Sequence, residues 1–337
     1  MKVFMIGEAA NYKDKLAAFL TTPCDIVPLP REAAHSPNFD SAIGPDDVVI
    51  SLRFSRKDMT VPNFRLLHVP GAGLDGIDMA SLPAGCHVCN VFEHEIPIAE
   101  FVLAAMLNWE IRLDALRASF ATDTWSDTYR ARVPHGEVHG KTLGLIGFGR
   151  IGRTIAQRAR AFGMRILAVD QFAGNADGLA DAVLPPDRLP EALTQADFLV
   201  IACPLTEQTQ GLIGAAELAA MKPTGVLVNV SRAPIVDEAA LYDALSRQAI
   251  GGAVLDVWYG YPAGAEDRVR PSRFRFEDLP NAVCTPHSSA WTTQLPERRY
   301  AFIARNIDRL AAGEPLLNVV RTPSPEPRPG LQEMSLP

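Results

Sequence analysis

A chain of 337 residues can form two domains with cores of their own, and 47% hydrophobic with 21% charged residues is an ordinary globular composition. A formal net charge of −7 gives nucleic acid no basic footing, and no uninterrupted apolar run approaches a membrane span. Five scattered cysteines (Cys24, Cys86, Cys89, Cys203, Cys284) do not make a disulfide framework.

The chain opens on MKVFMIGEAA, a short apolar strand broken by Gly7 and Glu8. It is too short for a signal-peptide core, so a cytoplasmic location is expected. Further strands are predicted at 48–52, 66–69 and 87–91, alternating with helices and loops in an α/β pattern without a glycine fingerprint. Cys86 and Cys89 have CxxC spacing, but no second pair or histidine cluster completes a zinc tetrad, and no metal is expected. One long helix is predicted from Ile98 to Phe120, with Pro97 at its start. A polar, aromatic-bearing connector, Thr122–His139, follows.

Lys141 to Asp170 then reads strand, glycine turn, helix, strand, acid. Gly147, Gly149 and Gly152 stand at GxGxxG spacing, with Arg150 and Ile151 between the last two. Gly147 permits the tight turn, Gly149 lets a pyrophosphate approach the backbone, and Gly152 lets the helix pack closely on the sheet. The helix start directs free N–H groups and the positive end of its dipole at that pyrophosphate. Asp170, 18 residues past the third glycine, closes the second strand. A carboxylate there accepts from the adenosine ribose hydroxyls and repels a 2′-phosphate, and neither Gln171 nor Phe172 could receive one. The cofactor expected is NAD rather than NADP.

Alternation continues through strands at 197–202, 225–230, 252–257 and 282–285, with helices at 189–195, 217–221 and 238–246. This implies a doubly wound parallel sheet. A helix from Glu297 to Ala312 ends at Gly313, and a proline-rich tail runs from Arg321. Because the fingerprint begins near residue 140, the cofactor domain is inserted into another α/β domain. The expected division is 1–105 with 290–320 for substrate, 106–289 for NAD, and 321–337 for the tail. Ligands in such sheets bind at the carboxyl ends of strands, facing the cleft expected between the domains.

Two strand ends carry reactive groups. Arg232, in NVSRAPIVDEAAL, could hold a carboxylate bidentately and polarise the neighbouring carbonyl. His287, in CTPHSSAW, could pass a proton at neutral pH. Each alone reads as a structural residue; beside a dinucleotide fold, the pair points to hydride-transfer chemistry.

At this point the chain resembles the D-isomer-specific 2-hydroxyacid dehydrogenase family over about residues 45 to 320. The resemblance rests on GAGLDGID (71–78), IAEFVLAAML (98–107), GKTLGLIGFGRIG (140–152) and CPLTEQTQGLI (203–213). It continues through NVSRAPIVDEAAL (229–241), LDVWYGYP (255–262) and TPHSSA (285–290). It implies a Rossmann-type doubly wound sheet inserted into a flavodoxin-like α/β substrate domain, and a homodimer. It also implies that Arg232 binds the substrate carboxylate and carbonyl, and that His287 is the acid/base. Ala72, Gly73 and Leu74 would offer backbone N–H groups, with Arg53 and His94 on other substrate loops; relatives often place Asn near the position of His94. Cys203, Pro204, Thr209, Val230, Ser231, Asp256 and Ser289 would border the cofactor, Asp256 near the nicotinamide end.

One position breaks the pattern. Relatives carry a Glu one residue before the proline that follows Asp256; here Tyr261 stands there. A phenol could orient His287 but could not supply the charge that keeps an imidazolium protonated. Three readings stay open. A working hydroxyacid dehydrogenase would have its reduction limb at lower pH, with Tyr261 orienting His287. A formate- or phosphite-type dehydrogenase would need little proton transfer. A regulatory protein would bind NAD without turnover. Trp258, Tyr259 and Trp291 flank these motifs, either shaping a pocket or packing.

Overall fold

The computed structural model describes residues 1–323 apart from 57, 58, 60, 173, 175, 176, 263 and 265. The chain divides into two compact units: unit 1 is residues 1–93 with the return from 293, and unit 2 is residues 94–292.

Unit 1 opens with β1 (Lys2–Ile6), α1 (Lys13–Phe19), β2 (Asp25–Leu29), β3 (Val48–Ile50), β4 (Leu66–His68) and β5 (His87–Cys89). β1, β3 and β4 are three- to five-residue runs, apolar except for Lys2 and His68 and buried on both faces except at Lys2, as a helix-covered parallel sheet requires.

Unit 2 begins with α2 (Glu95–Ile111), whose buried Ile98, Ala99, Val102, Leu103 and Met106 form a helical stripe. The single helix expected from Ile98 to Phe120 is interrupted at Arg112, which adopts a left-handed conformation (φ +53°) and ends α2. α3 (Leu113–Ser119) and α4 (Trp125–Ala131) follow, the latter inside the segment expected to be a connector. The detour closes where the Gly136 N–H donates to the Glu110 carbonyl at 3.1 Å. Then come β6 (Thr142–Ile146), α5 (Arg150–Ala161), β7 (Arg165–Val169), β8 (Ala182–Leu184), α6 (Leu189–Gln195) and β9 (Phe198–Ile201). α7 (Ala215–Ala220), β10 (Val226–Asn229), α8 (Glu238–Ser246), β11 (Gly252–Leu255) and β12 (Ala282–Cys284) complete the unit.

The chain returns to unit 1 as α9 (Leu295–Ala311), which packs on α1, and β13 (Val319–Arg321). Arg321, expected to begin the tail, instead pairs with Val88 of β5, and its guanidinium donates to the Met79 and Pro83 carbonyls. The tail from 324 onward lies outside the described residues.

The unit 2 sheet is parallel throughout, in the order β12-β11-β10-β9-β6-β7-β8. Chain direction across it reverses at β6, since β7 lies on one side and β9 on the other. This is the doubly wound arrangement, with its switch point at the β6/β9 carboxyl ends. The α2 and α5 helices cover one face and α6, α7 and α8 the other, each over its own apolar cluster. The unit 1 sheet runs β13-β5-β4-β3-β1-β2, parallel except for β13. That order of its parallel strands is flavodoxin-like.

Unit 1 also buries polar groups. His68 is fully buried; its Nδ1 lies 3.4 Å from the Val69 carbonyl and its Nε2 3.0 Å from Asn306 Nδ2. Burial lowers its pKa to about 4. Asn306 is oriented by Leu317, whose N–H donates to Oδ1 and whose carbonyl accepts from Nδ2. The Asn306 amide therefore donates to Nε2, which leaves the proton on Nδ1. Cys86 and Cys89 are buried free thiols, each pushed up to about 12 by burial. Neither is poised for redox or metal chemistry. Among the described residues no cluster of acidic, His and Cys side chains could hold a metal, and no helix is long and apolar enough to cross a membrane.

Candidate active site

Five loops follow neighbouring parallel strands of unit 2, and every unit 2 candidate except His94 lies on one of them, in the first turn of α5 or at the end of β7. The first is the glycine turn after β6. Gly147 has φ +97°, and a Cβ there would stand 2.6 Å from the Cys203 backbone nitrogen. A Cβ on Gly152 would stand 2.2 Å from the Gly147 carbonyl oxygen. Packing alone therefore demands both glycines. Gly149 differs, because a Cβ there meets no atom within 4 Å. Its place as the N-cap of α5 suits a glycine, and the missing side chain leaves the backbone open to a molecule brought against it. Gly149 also caps α5 without a side-chain hydrogen bond, and the first turn of α5 holds no acid, so its N–H groups remain available to an anion. These residues fit a dinucleotide.

Asp170 adds a structural task. One carboxylate oxygen accepts from the Phe148 N–H and the other from the Phe172 N–H, each at 2.8 Å, tying the glycine turn to the end of β7. Arg150 extends toward α2, with Nη1 3.4 Å from Glu95 Oε1, and Ile151 is half-buried beside it.

After β9, Cys203 is buried, and the Thr209 hydroxyl donates to the Pro204 carbonyl at 2.7 Å, closing the 204–209 loop. The Ser231 hydroxyl donates to the Cys203 carbonyl. After β10, the buried Asn229 accepts from the Ser231 N–H and donates to the Arg232 carbonyl, shaping the turn Val230–Ser231–Arg232. The Arg232 guanidinium donates to the Ser231 carbonyl at 2.9 Å.

The last two loops meet. Asp256, expected beside the cofactor, is completely buried, and its carboxylate is directed at the loop after β12. It accepts from the Thr285 hydroxyl at 2.6 Å, the Ser288 N–H at 2.8 Å and the Ser289 N–H at 2.9 Å. Those bonds hold His287 at φ +56°, an uncommon conformation for a residue with a Cβ. Tyr261 Oη lies 2.8 Å from His287 Nδ1 and accepts from the Trp258 N–H at 3.0 Å. Trp258 Nε1 donates to the Thr285 carbonyl and the Tyr259 hydroxyl to the Val236 carbonyl, so both rings brace loops. Trp291 is exposed.

Electrostatics keep the Tyr261–His287 pair neutral. Partial burial of the ring lowers the His287 pKa, opposed by Asp256 and reinforced by Arg232. Burial also raises that of Tyr261, opposed by the Trp258 N–H and Arg232 and reinforced by Asp256.

In unit 1, Arg53 is exposed on the loop after β3, its N–H and carbonyl both bonded to the Ser51 hydroxyl. Ala72, Gly73 and Leu74 form the loop after β4, where the Ala72 carbonyl accepts from Asn90 Nδ2. His94 caps α2 in unit 2, with Nδ1 3.9 Å from Glu95 Oε2. Sequence reasoning missed Asn229 and Glu95. Neither carries a motif signal of its own, though Asn229 sits inside the strand-end segment that holds Arg232.

Comparison with known proteins places this geometry. Residues 103–289 match the family model described as D-isomer specific 2-hydroxyacid dehydrogenase, NAD binding domain. D-3-phosphoglycerate dehydrogenase from Methanocaldococcus jannaschii is 34% identical over 256 residues, 75% of this chain, which spans about half (47%) of that enzyme. Glycerate dehydrogenase from Methylorubrum extorquens is 33% identical over 262 residues, covering 76% of this chain and 78% of that one. The crystal structure of D-lactate dehydrogenase with NAD+ from Lactobacillus jensenii superposes with a TM-score of 0.74 at 26% identity, covering 95% of this chain and 100% of that one.

Proposed function

Because the chain belongs to the D-isomer-specific 2-hydroxyacid dehydrogenase family, we propose that it transfers hydride between NAD(H) and C2 of a D-2-hydroxy acid or its 2-keto acid. One observation carries this reading. Arg232 and His287 follow β10 and β12, which flank β11 at the carboxyl edge that also bears the glycine turn.

In this reading unit 2 holds the cofactor, and Arg53, the backbone of Ala72–Leu74 and His94 are the further substrate contacts. The Gly149 face and the uncapped start of α5 take the pyrophosphate, and Asp170 favours NAD over NADP. NADH, when bound, supplies the hydride. Arg232 anchors the carboxylate and polarises the carbonyl, and His287 handles the proton at the C2 oxygen. The five free cysteines suit the cytoplasm, where thiols stay reduced.

The test is Arg232→Ala, assayed over glyoxylate, hydroxypyruvate, bulkier 2-keto acids, formate and phosphite. Keto-acid-dependent NADH oxidation should fall at least ~10²-fold while NADH affinity stays near wild type. Wild-type turnover would remove Arg232 from the site. Turnover of formate or phosphite alone would replace the substrate class, and no turnover of any compound would favour a regulatory NAD binder.

The segment from α3 to Val133 exposes Leu113, Phe120, Trp125, Tyr129 and Val133, each half or more open to solvent. An apolar surface of this kind suits a partner, and we assign it to a second copy of the chain. Sedimentation should give a dimer that Trp125→Asp weakens; a wild-type monomer at micromolar concentration would overturn the assignment.

A further inference from the structure

We propose that Tyr261 donates its phenolic proton to His287 Nδ1, so that Nε2 carries the ring N–H, and that His287 relays the Tyr261 proton to the substrate oxygen during reduction. The relay rests on the hydroxyacid reading; the direction of the hydrogen bond does not.

The direction follows from counting protons. A backbone N–H can only donate, so the Trp258 N–H occupies acceptor capacity on Tyr261 Oη. The phenol has one proton of its own, and Nδ1 lies 2.8 Å away. A neutral imidazole has one donor and one acceptor nitrogen; facing a phenolic donor, Nδ1 must be the acceptor. A carboxylate at position 261 would act the other way. Having no proton, it would accept from Nδ1–H and leave Nε2 bare as a base. Tyr261 therefore inverts the ring.

The consequence is a site that offers N–H, not a lone pair, while His287 is neutral. The groups facing the pair are Arg232 from the loop after β10 and Asp256 from the end of β11, with the Trp258 N–H on the phenol. When hydride adds to C2, its electron pair forms the C–H bond and the carbonyl π pair moves to oxygen. That alkoxide takes the Nε2 proton as Nδ1 takes the proton of Tyr261. One O–H and one Nδ1–H bond form; one Nε2–H and one phenolic O–H bond break. The products are the hydroxy acid, a neutral imidazole protonated on Nδ1, and a phenolate beside Arg232. Tyr261 is 47% exposed and His287 is exposed as well, so the phenolate takes back the Nδ1 proton while Nε2 takes one from solvent, and the resting tautomer returns. The acid-side reduction limb expected for a site without a carboxylate assumes an imidazolium donor, and the relay removes that assumption. Oxidation is the slower direction near neutrality, because it needs a bare Nε2 and hence an ionised Tyr261.

Two measurements test this. The first is ¹⁵N NMR of the histidine-labelled protein without cofactor or substrate at about pH 8, with His287 assigned by its loss in His287→Gln. Nδ1 should show the shift of an unprotonated nitrogen and Nε2 that of a protonated one, with the preference weakened in Tyr261→Phe. The reverse pattern overturns the inference whether or not any keto acid is turned over. The second is kcat for reduction against pH, using the keto acid the panel identifies. Wild type should stay level through the imidazole range and fall only as the phenol ionises. Tyr261→Phe should fall through the imidazole range, to ~10²-fold below wild type at about pH 8, with KM little changed. Coincident pH profiles would rule out the relay.

Discussion

His68 and His287 occupy comparable places, one at the end of a parallel strand in unit 1 and one just beyond such a strand in unit 2, and their surroundings assign them opposite roles. His68 is fully buried, and both its ring nitrogens are satisfied, by the Val69 carbonyl and the Asn306 amide. The proton sits on Nδ1. His287 is exposed, meets a donor at Nδ1, and is held in a left-handed backbone conformation by Asp256. The difference lies in the neighbours: both nitrogens of His68 are satisfied inside the fold, whereas His287 meets Tyr261 at Nδ1.

The comparison breaks most severely at Asp256. Asp256→Ala strands the Ser288 and Ser289 N–H groups, leaves the Thr285 hydroxyl only the more distant Leu255 carbonyl, and frees the loop that carries His287. Turnover should fall ~10²-fold or more through misplacement of the ring. Stability should fall by about 2 kcal/mol from buried donors left unpaired, read by urea midpoints. Near-normal kinetics in the variant would separate Asp256 from His287.

The other half of the comparison is tested at His68, through stability alone and only as pH falls. Its unfolded value is 6.5 and its folded value about 4. A depressed folded pKa means that the unfolded chain binds the proton first. The stabilisation is whole above pH 6.5 and is lost as pH falls toward 4. The loss amounts to about 3 kcal/mol. Urea midpoints between these limits should decline more steeply in wild type than in His68→Gln. Parallel profiles would mean that His68 does not stay neutral in the fold.

The cofactor turn was legible in the sequence because its logic is local: strand, glycines, helix and acid lie within about thirty residues. Its close contacts also explain why Gly147 and Gly152 are glycines, while Gly149 leaves open space against its backbone. The broken helix was not legible, since Arg112 carries no signal for a left-handed residue. β13 was hidden because three residues pair antiparallel with β5 from more than two hundred positions away. The resemblance sets Asp256 beside the cofactor; its bonds to Thr285, Ser288 and Ser289, 29 to 33 residues downstream, are a pairing that spacing does not reveal. Tyr261 was visible as an irregularity, but the direction of its hydrogen bond depends on the Trp258 backbone, which only coordinates supply.

The left-handed Arg112 has a consequence for how this architecture can change. The chain leaves α2 there and comes back at Gly136, whose N–H is bonded to the Glu110 carbonyl just before the exit. Entry and exit thus share one narrow gate. Whatever the aromatic excursion between them binds, it can be lengthened, shortened or exchanged without displacing a strand that carries the chemistry. The excursion and the strand-end loops can therefore diversify at independent rates within one chain.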